Sequence, residues 1–179
     1  MKRSFIPVSI SLLTISDTRT LETDKSGNLL EEKVAESGHF IFDRKIVRDE
    51  IFEIQKVSKN WINNPKVEIV ISTGGTGLTG RDVSPEAFRQ IFDKEIEGFG
   101  ELFRYLSFKK IGTSTIQSRA IAGVSNGTYI FVLPGSPSAC RDAWDDILSH
   151  QLDYRHKPCN FVEIMPRLLE SNKGRSGKK

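Results

Sequence analysis

The sequence predicts an α/β fold, a three-layer sandwich in which helices cover both faces of a mostly parallel sheet containing one antiparallel strand. Three observations carry that expectation. Short apolar runs of strand length alternate with stretches of helical periodicity, the order expected of a parallel sheet with crossover helices. Val67, Ile69, Val70 and Ile71 form a nearly continuous apolar run, the pattern of a strand buried on both faces. Asn126-Gly127 separates the strand-like runs Ala120 to Val124 and Thr128 to Leu133 as a hairpin turn would, so one strand should run antiparallel.

Taken in order, Val8, Ile10 and Leu12 alternate with serines in a first strand from about Pro7 to Ile15, followed by a long polar segment to Gly27. Leu29, Leu30, Val34 and Ala35 recur at helical spacing from Asn28 to Ser37, with Gly38 as the stop. Phe40, Phe42, Ile46 and Val47 make a second strand, and Asp43, Arg44 and Lys45 within it suggest an edge position. Asp49 then stands where an N-cap would, before a helix carrying Ile51, Ile54, Val57, Trp61 and Ile62 on one face. After the third strand and a glycine-rich loop, Ser84-Pro85 reads as a capping serine followed by proline at the first helical position. That helix should run to about Phe92, with another from Leu102 to Phe108. A last helix runs from about Pro137 to Leu152, with Ala143, Ile147 and Leu148 inward. Trp61 and Trp144 fall at apolar helical positions, so packing is their simplest role.

Open α/β sheets bind ligands beyond the carboxyl ends of their strands. Four segments should meet there: Ser16 to Arg19, Arg48 to Glu50, Gly74 to Asp82 and Pro134 to Pro137. In the stretch Ser72 to Pro85, Gly74, Gly75, Gly77 and Gly80 suspend regular structure and leave backbone N–H groups free to cradle an anion. No lysine follows the glycines as a nucleotide P-loop requires, and by pattern alone a plain glycine-rich turn competes with phosphate contact. Asp49 and Asp82 are the acids placed in this pocket. Unit like charges 4 Å apart repel by about 4 kcal/mol at an effective dielectric of 20, whereas a helix N-terminus stabilises an anion by only ~0.3 to 2 kcal/mol. A cation would resolve the conflict, and Mg²⁺ bound through the two carboxylates and substrate phosphates suits the donors better than zinc. His150, His156 and Cys159 match no zinc spacing and read as surface residues.

Of the 179 residues, 1–170 should form one domain and 171–179 a basic disordered tail. Removing that tail's four positive charges from the net +3 leaves the body at −1, without the basic face that nucleic-acid binding requires. Two cysteines give no disulfide framework and fit a reducing cytoplasm. Pro7, Ser9 and Ser11 interrupt the apolar N-terminal stretch, and no run has the length of a membrane span.

Thr73 to Pro85, Leu133-Pro134-Gly135-Ser136-Pro137, and Gly98-Phe99-Gly100-Glu101 followed by Ile111-Gly112-Thr113-Ser114 resemble the MoaB/Mog family of molybdenum cofactor biosynthesis. The resemblance runs from about Pro7 to Phe161 and implies the molybdopterin-binding fold of that family. It implies binding of molybdopterin, a pterin with a dithiolene and a terminal phosphate, and transfer of an adenylyl group to that phosphate from ATP with Mg²⁺, releasing pyrophosphate. It makes Asp49 and Asp82 the catalytic and Mg²⁺-binding carboxylates. Ser16, Asp17, Thr18, Gly74, Gly75, Thr76 and Gly77 would contact nucleotide or phosphate, and Ser114, Ser118, Pro134, Gly135, Ser136 and Pro137 molybdopterin. It further implies a homotrimer or hexamer, for which Phe99, Phe103, Tyr105 and Phe108 give an independent hint, and the molybdenum insertion protein as a candidate partner. Arg48 stands where the adenylyltransferase branch usually carries proline, and Ser136 to Cys140 resembles the MoaB branch, some of whose members lack the aspartate pair. A carrier that holds molybdopterin without turnover, and a nucleotide pyrophosphatase like the related domains of competence-damage proteins, are the competing readings.

Overall fold

The structure, a computed structural model, describes residues 3–170. Six strands form one sheet in the order β2-β1-β3-β6-β5-β4: β1 (Ser9–Ile15), β2 (Phe40–Val47), β3 (Ile69–Thr73), β4 (Lys94–Glu95), β5 (Ile121–Ser125) and β6 (Thr128–Leu133). β1, β2, β3 and β6 are mutually parallel, and β5 runs antiparallel to both neighbours. The expectation for residues 171–179 falls outside the described residues.

The period of two along the central strands divides the core. Ile69 and Ile71 of β3, with Tyr129, Phe131 and Leu133 of β6, face one layer of helices: α1 (Lys25–Glu36), α4 (Glu97–Ile111) and α5 (Pro137–Ala143). Val70, Ile130 and Val132 face the other layer, which holds α2 (Ile51–Ile62) and α3 (Ser84–Arg89). Every residue of β3 is buried, as its unbroken apolar run requires, whereas β2 at the edge is only partly covered. The β5–β6 turn places Asn126 at φ +46° and Gly127 at +80°, the left-handed pair of a tight hairpin. Trp61 and Trp144 are core residues of opposite layers, and the Trp61 indole donates to Asp43 at 3.0 Å, satisfying an acid on the edge strand.

Several boundaries differ from expectation. α1 begins at Lys25, three residues before Asn28, because Asp24 caps it by accepting the Gly27 N–H at 2.9 Å. Asp49 is not an N-cap: Glu50 holds that position, without a side-chain bond. Ser84 does not cap either; it lies inside α3, and its hydroxyl donates to the Gly74 carbonyl at 2.8 Å. α4 spans 15 residues, Glu97–Ile111, so it extends beyond the expected Leu102 to Phe108 and includes Gly98 and Gly100. Gly100 marks a close approach, since a Cβ there would lie 2.6 Å from the Ala120 carbonyl. Of the aromatics taken as a sign of assembly, Phe99 and Phe103 belong to the core, while Tyr105 and Phe108 are exposed. The last helix continues from α5 through a π-helical stretch, Trp144–Leu148, and α6 (Ser149–Gln151); α7 (Phe161–Ile164) and the two-residue β4 gave no sequence signal.

Candidate functional site

The carboxyl ends of β1, β2, β3 and β6 bring together the four expected segments. The glycine loop after β3 is fixed by what its neighbours leave room for. Gly74 (φ +102°) and Gly75 (φ +63°) take left-handed conformations, and a Cβ on Gly74 would collide with the Ile15 carbonyl. A Cβ on Gly75 would strike the Ser84 hydroxyl and lie 2.5 Å from Asp49 Oδ1. On Gly77 it would lie 2.7 Å from Asp82 Oδ2. Each of the two acids therefore sits directly over one glycine of the loop.

Backbone and side-chain bonds hold this loop from beneath. The Gly74 N–H donates to the Leu133 carbonyl at 3.1 Å, and Thr73 Oγ1 donates to the Pro134 carbonyl at 2.9 Å, which ties β3 to the Pro134–Pro137 segment. Arg119 closes the other side. Its Nε donates to the Gly77 carbonyl at 2.9 Å and the Thr76 carbonyl at 3.2 Å, its Nη2 donates to the Asp82 carbonyl at 2.9 Å, and its Nη1 pairs with Glu86. Sequence reasoning missed this residue. The signal that could have found it is the hairpin: β5 runs antiparallel, so the residues just before it lie at the carboxyl edge of the parallel strands.

The carboxylates differ in environment. Asp82 Oδ2 accepts from the Thr79 hydroxyl at 2.5 Å and the Thr79 N–H at 2.9 Å, and these bonds, with the Gly77 N–H, hold its carboxyl below the usual range despite some burial. Asp17 is gripped by the Arg81 guanidinium at 2.8 and 2.9 Å, which likewise lowers it, and accepts the Asp49 N–H at 3.3 Å. Asp49 has no hydrogen bond to its carboxylate among the described residues. Burial, and then the fields of Asp17 and Asp82, push its carboxyl above the usual value. An uncompensated, half-buried acid facing two others is an environment in which a cation would be welcome. Among the described residues no three acids, histidines or cysteines form a ready-made metal cage. The donor set fits Mg²⁺ as bound in phosphoryl-transfer sites, through one or two carboxylates and the substrate's own oxygens.

Two cavities flank the loop and share Gly135. The first, about 280 Å³, is lined by Ser16, Arg19, Lys25, Gly74, Gly75 and Pro137 among others. The second, about 370 Å³, is lined by Thr76, Gly77, Phe103, Ser118, Pro134 and Ser136 among others. Ser118 Oγ is buried there without a hydrogen-bond partner, a polar atom left over for a ligand. Ser114 lines neither cavity; it lies exposed on the 3-10 turn Gly112–Gln117. Thr18 is exposed as well, and the Ser16 hydroxyl accepts the Thr18 and Arg19 N–H groups, so these two residues shape the loop after β1. Ser136 caps α5 by accepting the Ala139 N–H at 3.2 Å. Cys140 is buried beside Thr73, and burial pushes its thiol up to about 11, which removes it as a nucleophile at neutral pH. The His150 and His156 rings pack against each other at 5.4 Å, away from these cavities.

The chain is similar to known proteins. Residues 11–154 match the family described as "Probable molybdopterin binding domain". The chain is 52% identical over 157 residues to molybdenum cofactor biosynthesis protein B of Escherichia coli, covering 88% of this chain and 92% of that protein. A crystal structure of a molybdenum cofactor biosynthesis protein B superposes with a TM-score of 0.81 at 43% identity, over 84% of this chain and 94% of the other. The molybdopterin biosynthesis enzyme MoaB of Thermus thermophilus superposes with a TM-score of 0.71 at 32% identity, over 79% of this chain and 89% of the other.

Proposed function

The chain belongs to the MoaB family of molybdenum cofactor biosynthesis proteins, and from that premise we propose that it is an enzyme transferring the adenylyl group of ATP to the terminal phosphate of molybdopterin. The observation that carries the proposal is the placement of Asp49 over Gly75 and Asp82 over Gly77, one acid beside each of the two cavities that meet at Gly135. Two substrates bound in the two cavities would have their reacting phosphates meet at the glycine loop. The pterin suits the second cavity, where Phe103 gives an apolar wall and Ser118 a free hydroxyl; the nucleotide suits the first, with Arg19 and Lys25 for its phosphates.

An oxygen of the molybdopterin phosphate attacks the α-phosphorus of ATP, the bond from that phosphorus to the bridging oxygen breaks, and pyrophosphate leaves with the electron pair. The attacking group is already an anion, so no strong general base is required, and catalysis rests on positioning and charge neutralisation. Asp49, with no hydrogen bond to its carboxylate, is the stronger candidate ligand for Mg²⁺, and Asp82, oriented by Thr79, the second. Mg²⁺ held there would offset phosphate charge and stabilise the transition state. Leu102, Tyr105, Phe108 and Ile111 expose apolar surface along α4, and we assign subunit contacts of a trimer, alone or paired into a hexamer, to that face; a monomer in light scattering at micromolar concentration would overturn the assignment.

The deciding experiment incubates the purified chain with molybdopterin, ATP and Mg²⁺ and follows adenylylated product and pyrophosphate together. Equal amounts of both support the transferase. Tight molybdopterin binding without product would make the chain a carrier, and ATP cleavage without molybdopterin a pyrophosphatase.

A further inference from the structure

The loop after β1 and the end of β2 enclose another cavity, about 430 Å³, that shares Ser16 and Arg19 with the cavity over Gly74 and Gly75. Four cations, Arg19, Arg44, Lys45 and Arg48, line it against a single acid, Asp17. Two of the cations are engaged elsewhere. Arg44 bonds Asp24 at 2.9 Å and Glu31 at 2.6 Å, and Lys45 pairs with Asp43 at 3.2 Å. Asp17 is engaged by Arg81. Among the described residues, the side chains of Arg19 and Arg48 make no hydrogen bond or ion pair, and Arg48 acts on Asp17 only through its field. Arg81, Arg89 and Arg119 are each paired with an acid, and outside the groove Arg141 is another arginine whose side chain makes no bond among the described residues.

Two unpaired guanidinium groups lining one cavity beside an anion-cradling loop are a recognisable preparation for phosphate. Guanidinium presents a rigid fork of donors that matches phosphate oxygens two at a time. The position of Arg48 follows from β2. β2 ends at Val47; Arg48 follows it and lines the groove, and the chain then turns back, the Glu50 N–H donating to the Arg48 carbonyl at 2.7 Å, so that Asp49 lies over Gly75. Acid and base at adjacent positions thus serve adjoining parts of the same site.

We propose that this groove is a diphosphate subsite, in which Arg19 and Arg48 hold the β- and γ-phosphates of the nucleoside triphosphate while its α-phosphate lies against Gly74 and Gly75. The proposal rests on the adenylyl-transfer reading for its catalytic meaning. As the new bond to the α-phosphorus forms and the bond to the bridging oxygen breaks, the departing pyrophosphate gains negative charge on that oxygen. The two arginines stand where that charge develops, which is where fixed positive groups lower a barrier.

The test is calorimetric titration of the full chain and of the Arg19→Ala, Arg48→Ala and double variants with inorganic pyrophosphate, ATP and AMP, each with Mg²⁺. The double variant should bind pyrophosphate and ATP at least about tenfold more weakly and AMP within about twofold of the parent chain. Its melting temperature should not fall, because neither side chain has a folded-state partner to lose. Pyrophosphate affinity insensitive to both substitutions, or an AMP affinity that falls as far as that of ATP, overturns the subsite. The two readings fail separately. Arginine-dependent pyrophosphate binding in a chain that forms no adenylylated molybdopterin removes the transferase and keeps the subsite. Product formation with unaltered pyrophosphate affinity in the double variant does the reverse.

Discussion

On the glycine-loop wall of the site the loop is held by several side-chain bonds: Arg119 holds three carbonyls, Ser84 holds Gly74, and Thr79 holds Asp82. On the facing wall, built from the loops after β1 and β2, the Asp49 carboxylate and the side chains of Arg19 and Arg48 make no hydrogen bond among the described residues, and Asp17 reaches across to Arg81 of the glycine loop in an exposed pair. The contrast teaches a division of labour. The first wall is preorganised at the expense of the folding energy that fixes it, and the second carries unsatisfied charge that only ligands can neutralise. Sites of this kind trade stability for function on the ligand-facing side.

The sharpest test sets Asp49→Asn against Asp82→Asn. Both should lower adenylyl transfer by about 100-fold or more, since each removes a charge proposed to hold Mg²⁺ against the phosphates. Their stabilities should diverge. Asp49→Asn removes a raised, unpartnered acid, so its melting temperature should hold or rise. Asp82→Asn weakens the bonds from Thr79, a loss of about 1 kcal/mol, kept small by solvent exposure. Equal stability losses in the two variants would break the comparison between the walls, and turnover retained in either would remove that residue from the mechanism.

Arg119→Ala probes the preorganised wall alone. Removing the guanidinium leaves the Thr76, Gly77 and Asp82 carbonyls without their donor, at a cost of about 2 kcal/mol and a fall of several degrees in melting temperature. Because the loop carries Asp82, turnover should fall by more than the unfolded fraction explains, while pyrophosphate binding in the opposite groove stays close to that of the parent chain. A variant whose activity tracks its folded fraction would reduce Arg119 to a structural residue.

Much of this architecture was legible in the sequence because it follows from periodicity. The unbroken apolar run of β3, the Asn126-Gly127 turn and the charges in β2 specified a buried strand, a hairpin and an edge, and the convergence of segments at the carboxyl edge marked the candidate site. What stayed hidden were tertiary assignments of locally ambiguous residues. Asp49 and Ser84 have ideal capping chemistry, yet the glycine loop claims both. Nothing local marks Gly100 as a point of close approach until Ala120 is placed against it. Arg119 lies 42 residues from Gly77 in sequence and becomes visible only once β5 is known to run antiparallel.

Acid titration separates the two carboxylates by a smaller effect. The Asp49 carboxyl lies above the ordinary aspartate value of 3.8, and its contribution to stability is therefore present below the unfolded value and lost as pH rises through the folded one. The Asp82 carboxyl lies below 3.8, and its contribution is present above that value and lost as pH falls through the folded one. Any stability advantage of Asp49→Asn should accordingly be seen near neutral pH and shrink on acidification, and the deficit of Asp82→Asn should shrink in the far acid range. In the proposed mechanism it is ionised Asp49 that would hold Mg²⁺, so the acid limb of turnover should follow Asp49. Melting curves with the same pH dependence in both variants would contradict the different environments assigned to the two acids.

The smallest effect is expected at Arg81, although its guanidinium makes three hydrogen bonds across the mouth of the site. Its guanidinium grips Asp17 with three contacts between 2.8 and 3.1 Å, which on geometry alone resembles a structural clamp. Both side chains are open to solvent, 60% for Arg81 and 38% for Asp17, and exposed ion pairs contribute only about 0 to 1 kcal/mol once screening and side-chain ordering are counted. Arg81→Ala should therefore move the melting temperature by no more than about 2 °C. The freed Asp17 would then add its full negative field to Asp49, whose carboxyl already feels it, so the variant should show a further rise in the pH at which turnover falls on the acid side. A loss of stability as large as that of Arg119→Ala would show that the Asp17 link holds the facing wall as firmly as the glycine loop is held, and the contrast between them would fail.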